Sequence, residues 1–367
     1  MVAEAAQLSS TRRVYHFGAG PAMLPPEVIA EIRAELPDYA GTGISMLEFG
    51  HRTPEFRALM READNDLREL MGIPPNYAVL FLHGGAALQF AMAPLNFGSC
   101  GAYLVTGQWS AKALHEAERV AQAQTVWDGI ESGYTRLPAR NEWLPLQNAT
   151  YLHYTVNETI AGVEFHATPE SNGVPLLADM TSMVMSRPVE VSKHALIYAS
   201  AQKNLGIAGI TLAILDPAAL RTPPRSTPSL LDYRYCLEAE SLPNTPPVFA
   251  WYVLAKMLKW VKLQGGVQEL AERNRRKAEV LYSVLDSSGF YVSKVEKSCR
   301  SRMNVPFRTH TPSLETVFLQ QAEAAGLKNL AGHRTSGGIR ASIYNAMPET
   351  GVAALAEFMR DFERRHG

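Results

Sequence analysis

The chain has 367 residues, 46% of them hydrophobic and 19% charged, with a net charge of -1. That length suggests about two domains, the composition supplies a large buried core, and the near-neutral balance gives no reason to expect nucleic acid or an anionic membrane as a partner. Cys100, Cys236 and Cys299 lie far apart and never form a C-x-x-C pair, which argues against a disulfide framework or a cysteine-built zinc site and for a reducing compartment. Met1 to Thr11 lack an apolar segment, and no run of about 18 apolar residues occurs. Neither a signal peptide nor a membrane span is expected, and the expected location is cytoplasmic.

Residues 1–13 read as a loose arm. Thr53 as N-cap and Pro54 at the first helical position open a helix on which Phe56, Leu59, Met60, Ala63, Leu67, Leu70 and Met71 recur at helical spacing, and Gly72 can end it. That stripe is core packing. Short apolar runs then alternate with helical patterns: Ala78-Val-Leu-Phe-Leu82, Ala102-Tyr-Leu-Val105, Thr150-Tyr-Leu-His-Tyr154, Pro175-Leu-Leu-Ala178, Leu196-Ile-Tyr-Ala199 and Ile210-Thr-Leu-Ala-Ile-Leu215. Continuous rather than alternating hydrophobicity predicts strands covered on both faces, in a mostly parallel sheet between helices. A helical stretch from Val248 to Leu263 is broken at Gly265-Gly266, and a second, from Val267 to Leu285, turns Leu270, Ala278, Leu281, Val284 and Leu285 inward. Ser288 to Gly367 mixes short strands with two helices, the last bearing Val352, Leu355, Phe358, Met359 and Phe362. The pattern predicts an arm over residues 1–16, a large α/β domain over 17–264 and a smaller α+β domain over 265–367.

Chemistry gathers where the apolar runs end. One run closes on Asp179, and the next leads into Ser200-Ala-Gln-Lys-Asn-Leu-Gly206, which contains Lys203. An acid leaving one buried strand and a lysine leaving its neighbour is the pairing that holds pyridoxal phosphate: the amine forms a Schiff base with the aldehyde, and the carboxylate keeps the pyridine nitrogen protonated. A lone lysine after a strand is ordinarily a solvated surface charge; Asp179, Gln202 and Asn204 at strand ends weaken that reading, because open α/β sheets bind ligands there. His83-Gly84-Gly85-Ala86-Ala87 opens an apolar helix reaching Pro94, where small residues and helix N–H groups suit a phosphate. Alone, such a turn means only that a strand has become a helix. Trp109 in Thr106-Gly-Gln-Trp-Ser110 stands where an aromatic plane could cover the pyridine ring, and Thr159 in Asn157-Glu-Thr159 could bond the cofactor edge. Two basic clusters, His51-Arg52 and Gly332-His-Arg-Thr-Ser-Gly-Gly-Ile-Arg340, contain three arginines. Each alone would be an ordinary salt-bridge partner; together beside a cofactor pocket they imply a di- or trianionic substrate.

With these residues in view, the chain from about His16 onward resembles the phosphoserine aminotransferases, which are class V, fold-type I pyridoxal phosphate enzymes. The resemblance is carried by Gly18-Ala-Gly-Pro-Ala-Met-Leu-Pro25, Ser45 to Arg52, Phe81-Leu-His-Gly-Gly85, His153 to Thr159, Ala178-Asp179, Ala201-Gln-Lys-Asn204, Asn244-Thr-Pro-Pro247, Ser301-Arg-Met-Asn-Val-Pro306 and Gly332 to Pro348. It implies a seven-stranded, mostly parallel sheet. It also implies that Lys203 anchors the cofactor, Asp179 pairs with the ring nitrogen, Trp109 stacks on the ring, and Ala86, Ala87, Thr159 and Gln202 complete the cradle. Asn244 and Thr245 are implied to reach the phosphate in a neighbouring subunit, hence a homodimer. His51, Arg52, His333 and Arg334 are implied to hold the substrate phosphate or the glutamate side-chain carboxylate, and Arg340 the α-carboxylate. Two departures stand out: Gly84-Gly-Ala-Ala-Leu-Gln89 lacks an arginine that some members have there, and Ala19 replaces a serine.

The implied reaction transfers an amino group from L-glutamate to 3-phosphohydroxypyruvate, giving O-phospho-L-serine and 2-oxoglutarate in serine biosynthesis. A phosphorylated hydroxythreonine of pyridoxine (vitamin B6) biosynthesis is a second implied product. The alternatives are another class V enzyme or a catalytically silent protein that binds the cofactor. An alanine–glyoxylate transaminase would not need the four basic residues together. A cysteine desulfurase needs a nucleophilic thiol, for which Cys299 is the sole candidate.

Overall fold

The computed structural model describes residues 14–367, so the arm expected over residues 1–13 lies outside the described residues. Along the chain run β1 (Tyr15–His16), α1 (Pro26–Glu35), α2 (Pro54–Met71), β2 (Ala78–His83), α3 (Ala86–Phe97), β3 (Cys100–Val105), α4 (Gln108–Glu118) and β4 (Gln122–Asp128). Then come β5 (Tyr151–Thr155), β6 (Leu176–Asp179), β7 (Leu196–Ser200), β8 (Ile210–Leu215), α5 (Tyr233–Glu238), α6 (Val248–Leu263) and α7 (Gly266–Ser287). The chain closes with β9 (Tyr291–Val292), β10 (Asn304–Thr309), α8 (Ser313–Ala324), β11 (Leu327–Lys328), β12 (Ile339–Ser342) and α9 (Glu349–His366).

Seven strands form one sheet in the order β2-β8-β7-β6-β5-β3-β4. The pairs from β7 through β4 are parallel, whereas β8 runs antiparallel to both β7 and β2. All six apolar runs became strands of this sheet. The seventh, β4, is an edge strand in which only Val126 is buried; being only partly covered, it lacks the continuous hydrophobicity that marked the others. Alternate residues feed two cores. Leu152, Tyr154, Ile197 and Ala199 face α2 and α6, packing with Phe56, Trp251 and Leu258. Tyr151, Leu196 and Tyr198 face α3 and α4, packing with Phe90, Met92 and Ala113.

The helix after Thr53 forms as its punctuation predicts. The Thr53 hydroxyl accepts from the Phe56 N–H at 3.3 Å, and Gly72, in the left-handed region at φ 60°, closes the far end. Helix α3 runs past Pro94 to Phe97, one turn further than expected, and α1 was not anticipated. Gly265 at φ 91° breaks the long helical stretch between α6 and α7 as expected.

A three-stranded antiparallel sheet, β12-β10-β9, packs with α7, α8 and α9 around Leu281, Phe307, Phe318, Leu355 and Phe362. The chain start joins this second core: β1 pairs in parallel with β11, and Phe17 and Met23 are buried there. Helix α7 serves both cores, with Val267 and Leu270 in the first and Ala278 to Leu285 in the second. Among the described residues no helix is long and apolar enough to cross a membrane.

Candidate active site

A cavity of about 460 Å³ opens where β5, β6 and β7 end, with Arg340 of β12 on its wall. Lys203 lies on the short connection, residues 201–209, that turns β7 back into β8. Its backbone is tied on every side. The Ala201 N–H donates to the Ile210 carbonyl at 2.9 Å and the Leu205 N–H to the Ala201 carbonyl at 3.2 Å. Asn204 is buried, donating to the Val184 carbonyl at 2.9 Å and accepting from the Asn345 N–H at 3.0 Å. The Lys203 side chain alone is left to enter the cavity, where Nζ donates to Thr159 Oγ1 at 2.6 Å. Burial pushes its amine down to about 8, a tendency that the Asp179 carboxylate opposes and the Arg340 cation reinforces. Asp179, 5% exposed, lines the same cavity and accepts from the Thr181 N–H at 2.9 Å. Burial raises its carboxyl, while the Thr181 donors and Lys203 pull it back.

Buried lysine is not by itself a sign of chemistry here. Lys277 is still more deeply buried, and burial pushes it down to about 7. Its Nζ, however, donates to the carbonyls of Ile343, Tyr344 and Met347 at 2.9, 2.7 and 3.1 Å, which spends all three donors on holding the chain after β12. Lys203 has one hydroxyl partner and open space.

Trp109 lines the cavity from the first turn of α4, with its ring Nε1 buried and without a hydrogen-bond partner. Lys112, one turn further along, stands 5.9 Å from its ring centroid and lines the cavity as well. Across from them α3 begins after Gly84, whose φ of 82° favours glycine, and no side chain caps its start. Ala86 and Ala87 therefore present the N-terminal N–H groups and the positive end of the helix to the cavity. Gln202 lines it too, its side-chain oxygen accepting from the Ser200 hydroxyl. These groups fit pyridoxal phosphate: an amine for its aldehyde, a carboxylate for its ring nitrogen, an indole for its ring face and an uncapped helix start for its phosphate.

Arg340 and His333 complete the wall. Arg340 Nε is buried without a partner, and burial pushes the guanidinium down, with Tyr344 opposing. No carboxylate among the described residues neutralises it. His333 Nδ1 lies 2.7 Å from Thr335 Oγ1, which donates to Gln108 Oε1 at 3.3 Å and so ties the loop to the start of α4. That loop folds so tightly that a Cβ on Gly332 would stand 2.0 Å from the Gly337 carbonyl.

Of the predicted site residues, Ala86, Ala87, Trp109, Thr159, Asp179, Gln202, Lys203, His333 and Arg340 come together around this cavity. His51, Arg52, Arg334, Asn244 and Thr245 do not line it. Arg52, Arg334, Asn244 and Thr245 are exposed, and Asn244 borders a separate groove of about 190 Å³ with Leu82, Leu88 and Leu230. Sequence reasoning missed Lys112, Thr181, Ser182 and Ser200 in the lining and the buried seam that begins at Asn157. There Asn157 donates to Ser182 Oγ and Asn304 Oδ1, and Asn304 donates to Ser342 Oγ and Tyr344 Oη, stitching β5 to the second sheet. Cys299 is buried away from the cavity, its thiol against the Thr135 and Glu296 carbonyls. Among the described residues no cysteine lines the cavity and no cluster of His, Cys, Asp or Glu could hold a metal.

Comparison with known proteins agrees with this geometry. The aminotransferase class-V family model matches residues 14–355. The phosphoserine aminotransferase of Hahella chejuensis is 49% identical over 357 residues, covering 96% of this chain and 99% of the relative. Among solved structures, the phosphoserine aminotransferase of Bacillus circulans subsp. alkalophilus superposes with a TM-score of 0.94 at 42% identity, covering 97% of this chain and 99% of that one. A phosphoserine aminotransferase of Trichomonas vaginalis with pyridoxal phosphate bound gives 0.90 at 35%, covering 95% and 100%. The chain belongs to the class-V aminotransferases and, within them, to the phosphoserine aminotransferase family.

Proposed function

We propose that the chain is a pyridoxal phosphate-dependent aminotransferase that moves the amino group between L-glutamate and 3-phosphohydroxypyruvate, giving 2-oxoglutarate and O-phospho-L-serine. The observation that carries this is one cavity holding the Lys203 amine, the Asp179 carboxylate and the unneutralised Arg340 guanidinium. Pyridoxal phosphate, when bound, supplies an aldehyde to take up the amino group and a ring to delocalise the electrons released at the substrate Cα.

The residues then divide the work. Lys203 Nζ would hold the cofactor, and as a free amine it would take the proton from the substrate Cα and return it. An amine lowered to about 8 is part neutral near physiological pH, as a base must be. Asp179 would keep a proton on the ring nitrogen, and Trp109 would lie against the ring. Arg340 takes the α-carboxylate shared by every substrate. His333, with His51, Arg52 and Arg334, takes the distal anion, so that a carboxylate and a phosphate use one place in turn and the kinetics are ping-pong.

His51, Arg52, Asn244 and Thr245 stand outside their own chain's cavity. In this reading a homodimer brings them to the cavity of the second copy, and the exposed Leu88 and Leu230, which border the same groove as Asn244, supply apolar surface for that contact. Serine biosynthesis, a second role in pyridoxine biosynthesis, a cytoplasmic location and a functional division near Gly265 belong to the same proposal.

The test measures 2-oxoglutarate formed from L-glutamate with and without 3-phosphohydroxypyruvate. Turnover that depends on the keto acid is the expected result; one half-turnover without response to it would refute the substrate.

A further inference from the structure

Behind the cavity wall lies an acid more deeply buried than Asp179. Glu158, next to Thr159, is 0% exposed and none of its partners is basic. Its Oε2 accepts from the Trp109 N–H at 3.0 Å; its Oε1 accepts from the Ser110 N–H at 2.8 Å and from the Ser110 hydroxyl at 2.6 Å. The hydroxyl has one proton to give, and its acceptor positions are already filled by the N–H groups of Thr106 and Gly107 at 2.9 and 3.0 Å. Its proton has two acceptors within reach, the Gly107 carbonyl at 3.0 Å and the Glu158 carboxylate at 2.6 Å, and the carboxylate is the closer. All three bonds fall on the second and third residues of α4, so a distant carboxylate does the capping that Gly107, without a side chain, cannot. Space is matched to this arrangement: a Cβ on Gly107 would stand 2.4 Å from the Glu158 Cδ. The adjacent Thr159 accepts from Lys203 Nζ, so one tripeptide fixes both the anchor lysine and the helix carrying the ring-facing indole.

We infer that Glu158 is a positioning residue: its buried carboxylate pins the first turn of α4 and thereby sets where the Trp109 indole stands against the cofactor. Trp109 needs this help because its own Nε1 finds no hydrogen-bond partner to orient the ring. Glutamine at this place keeps the shape but turns an N–H donor toward another N–H donor, so at least one of the three bonds is lost.

The inference rests on the cofactor reading above, and its test is a double-mutant cycle read by cofactor affinity and by the visible circular dichroism of the bound cofactor. In E158Q the dissociation constant of pyridoxal phosphate should rise roughly ten- to hundredfold, the scale of hydrogen bonds to a charged group, and the visible dichroism should fall. In a W109F background the same substitution should add less than about threefold, because contacting residues acting on one property are not additive. An equal loss in both backgrounds, or wild-type affinity and dichroism in E158Q, overturns the inference. If E158Q does not fold, G107A displaces the same carboxylate and must reproduce the change; a folded G107A with wild-type values overturns the inference equally. A wild type whose visible band does not depend on Lys203 would overturn the cofactor reading and this inference together, whereas a normal wild-type band with unaltered variants sinks the positioning role alone.

Discussion

Replacing Arg340 by methionine should move stability and activity in opposite directions. In the free protein the guanidinium is a cost: its Nε is buried without an acceptor, burial pushes the group toward neutrality, and no carboxylate among the described residues offsets it. A buried, unsatisfied polar group costs about 1–3 kcal/mol, so Arg340→Met should leave unfolding midpoints in the apo-protein unchanged or raised. With substrate present the balance reverses. Losing the partner of a desolvated α-carboxylate costs about 2–5 kcal/mol, much of it for leaving that charge unpaired, and at about 1.4 kcal/mol per factor of ten this lowers kcat/KM roughly 30- to 4,000-fold. Glutamate and the phosphorylated keto acid both carry the α-carboxylate, so both half-reactions must suffer. Arg340 also holds the Lys203 amine down, so the pH at which the cofactor's visible band changes should move upward in the variant. Single-turnover rates for each half-reaction, measured with the unfolding midpoint, check all of this. A kcat/KM within threefold of wild type, or a loss confined to one substrate, would refute the assignment.

Arg334→Ala should raise KM for the phosphorylated keto acid far more than it weakens cofactor binding, by the equivalent of about 2–5 kcal/mol if the arginine serves a desolvated phosphate; an unchanged KM in steady-state assays rules that role out. Lys203→Ala should abolish turnover and the visible band of the holoenzyme, and substantial residual turnover would end the aminotransferase mechanism for this cavity. The same variant makes a stability prediction in the apo-protein. The Lys203 amine falls from 10.5 unfolded to about 8 folded, so the folded state binds fewer protons between those values and pays a burial penalty that is full below pH 8 and fades toward 10.5. The difference of about 2.5 units is worth about 3 kcal/mol. Wild-type stability should therefore gain on Lys203→Ala as the pH rises from 8 to 10, and denaturation midpoints that keep a constant gap would contradict it.

How far the amino-acid sequence reaches depends on whether a feature is local. The six covered strands were readable because burial on both faces leaves them mostly apolar, whereas β4, an edge strand, carries Gln122, Gln124 and Asp128 and looks like a loop. Lys203 and Asp179 were readable because polar groups closing apolar runs are rare and their chemistry is specific. The seam of Asn157, Ser182, Asn304, Ser342 and Tyr344 was not, because each member looks like a loop residue until partners up to 147 positions away are known. Glu158 in Asn157-Glu-Thr159 has no role legible in the sequence, since its three hydrogen-bond donors belong to Trp109 and Ser110 in the first turn of α4. The basic residues divide in the same way. Arg340 and His333 reach the cavity, while His51 and Arg52, read from the same chemistry, do not line it, because sequence shows that a cation is present and not where the fold places it.

The direction of β8 explains why the site can be rigid. Parallel neighbours need long crossover connections, and antiparallel ones need only a turn. Because β8 runs against β7, the lysine rides on the short connection 201–209, tied at both ends by the Ala201–Ile210 bond and by Asn204, instead of on a long mobile crossover. Because β8 also runs against β2, its first residues lie beside the end of β2, with Ile210 paired to His83 and the Thr211 hydroxyl donating to the Gly84 carbonyl at 3.4 Å. One strand start therefore fixes the amine on one side and the uncapped start of α3 on the other. A cofactor held covalently at its aldehyde and electrostatically at its phosphate requires those two anchors at a constant separation, and a catalytic constellation keeps its geometry only when its supports are held in this way. The single reversed strand, invisible in the hydrophobicity that identified it, provides that support.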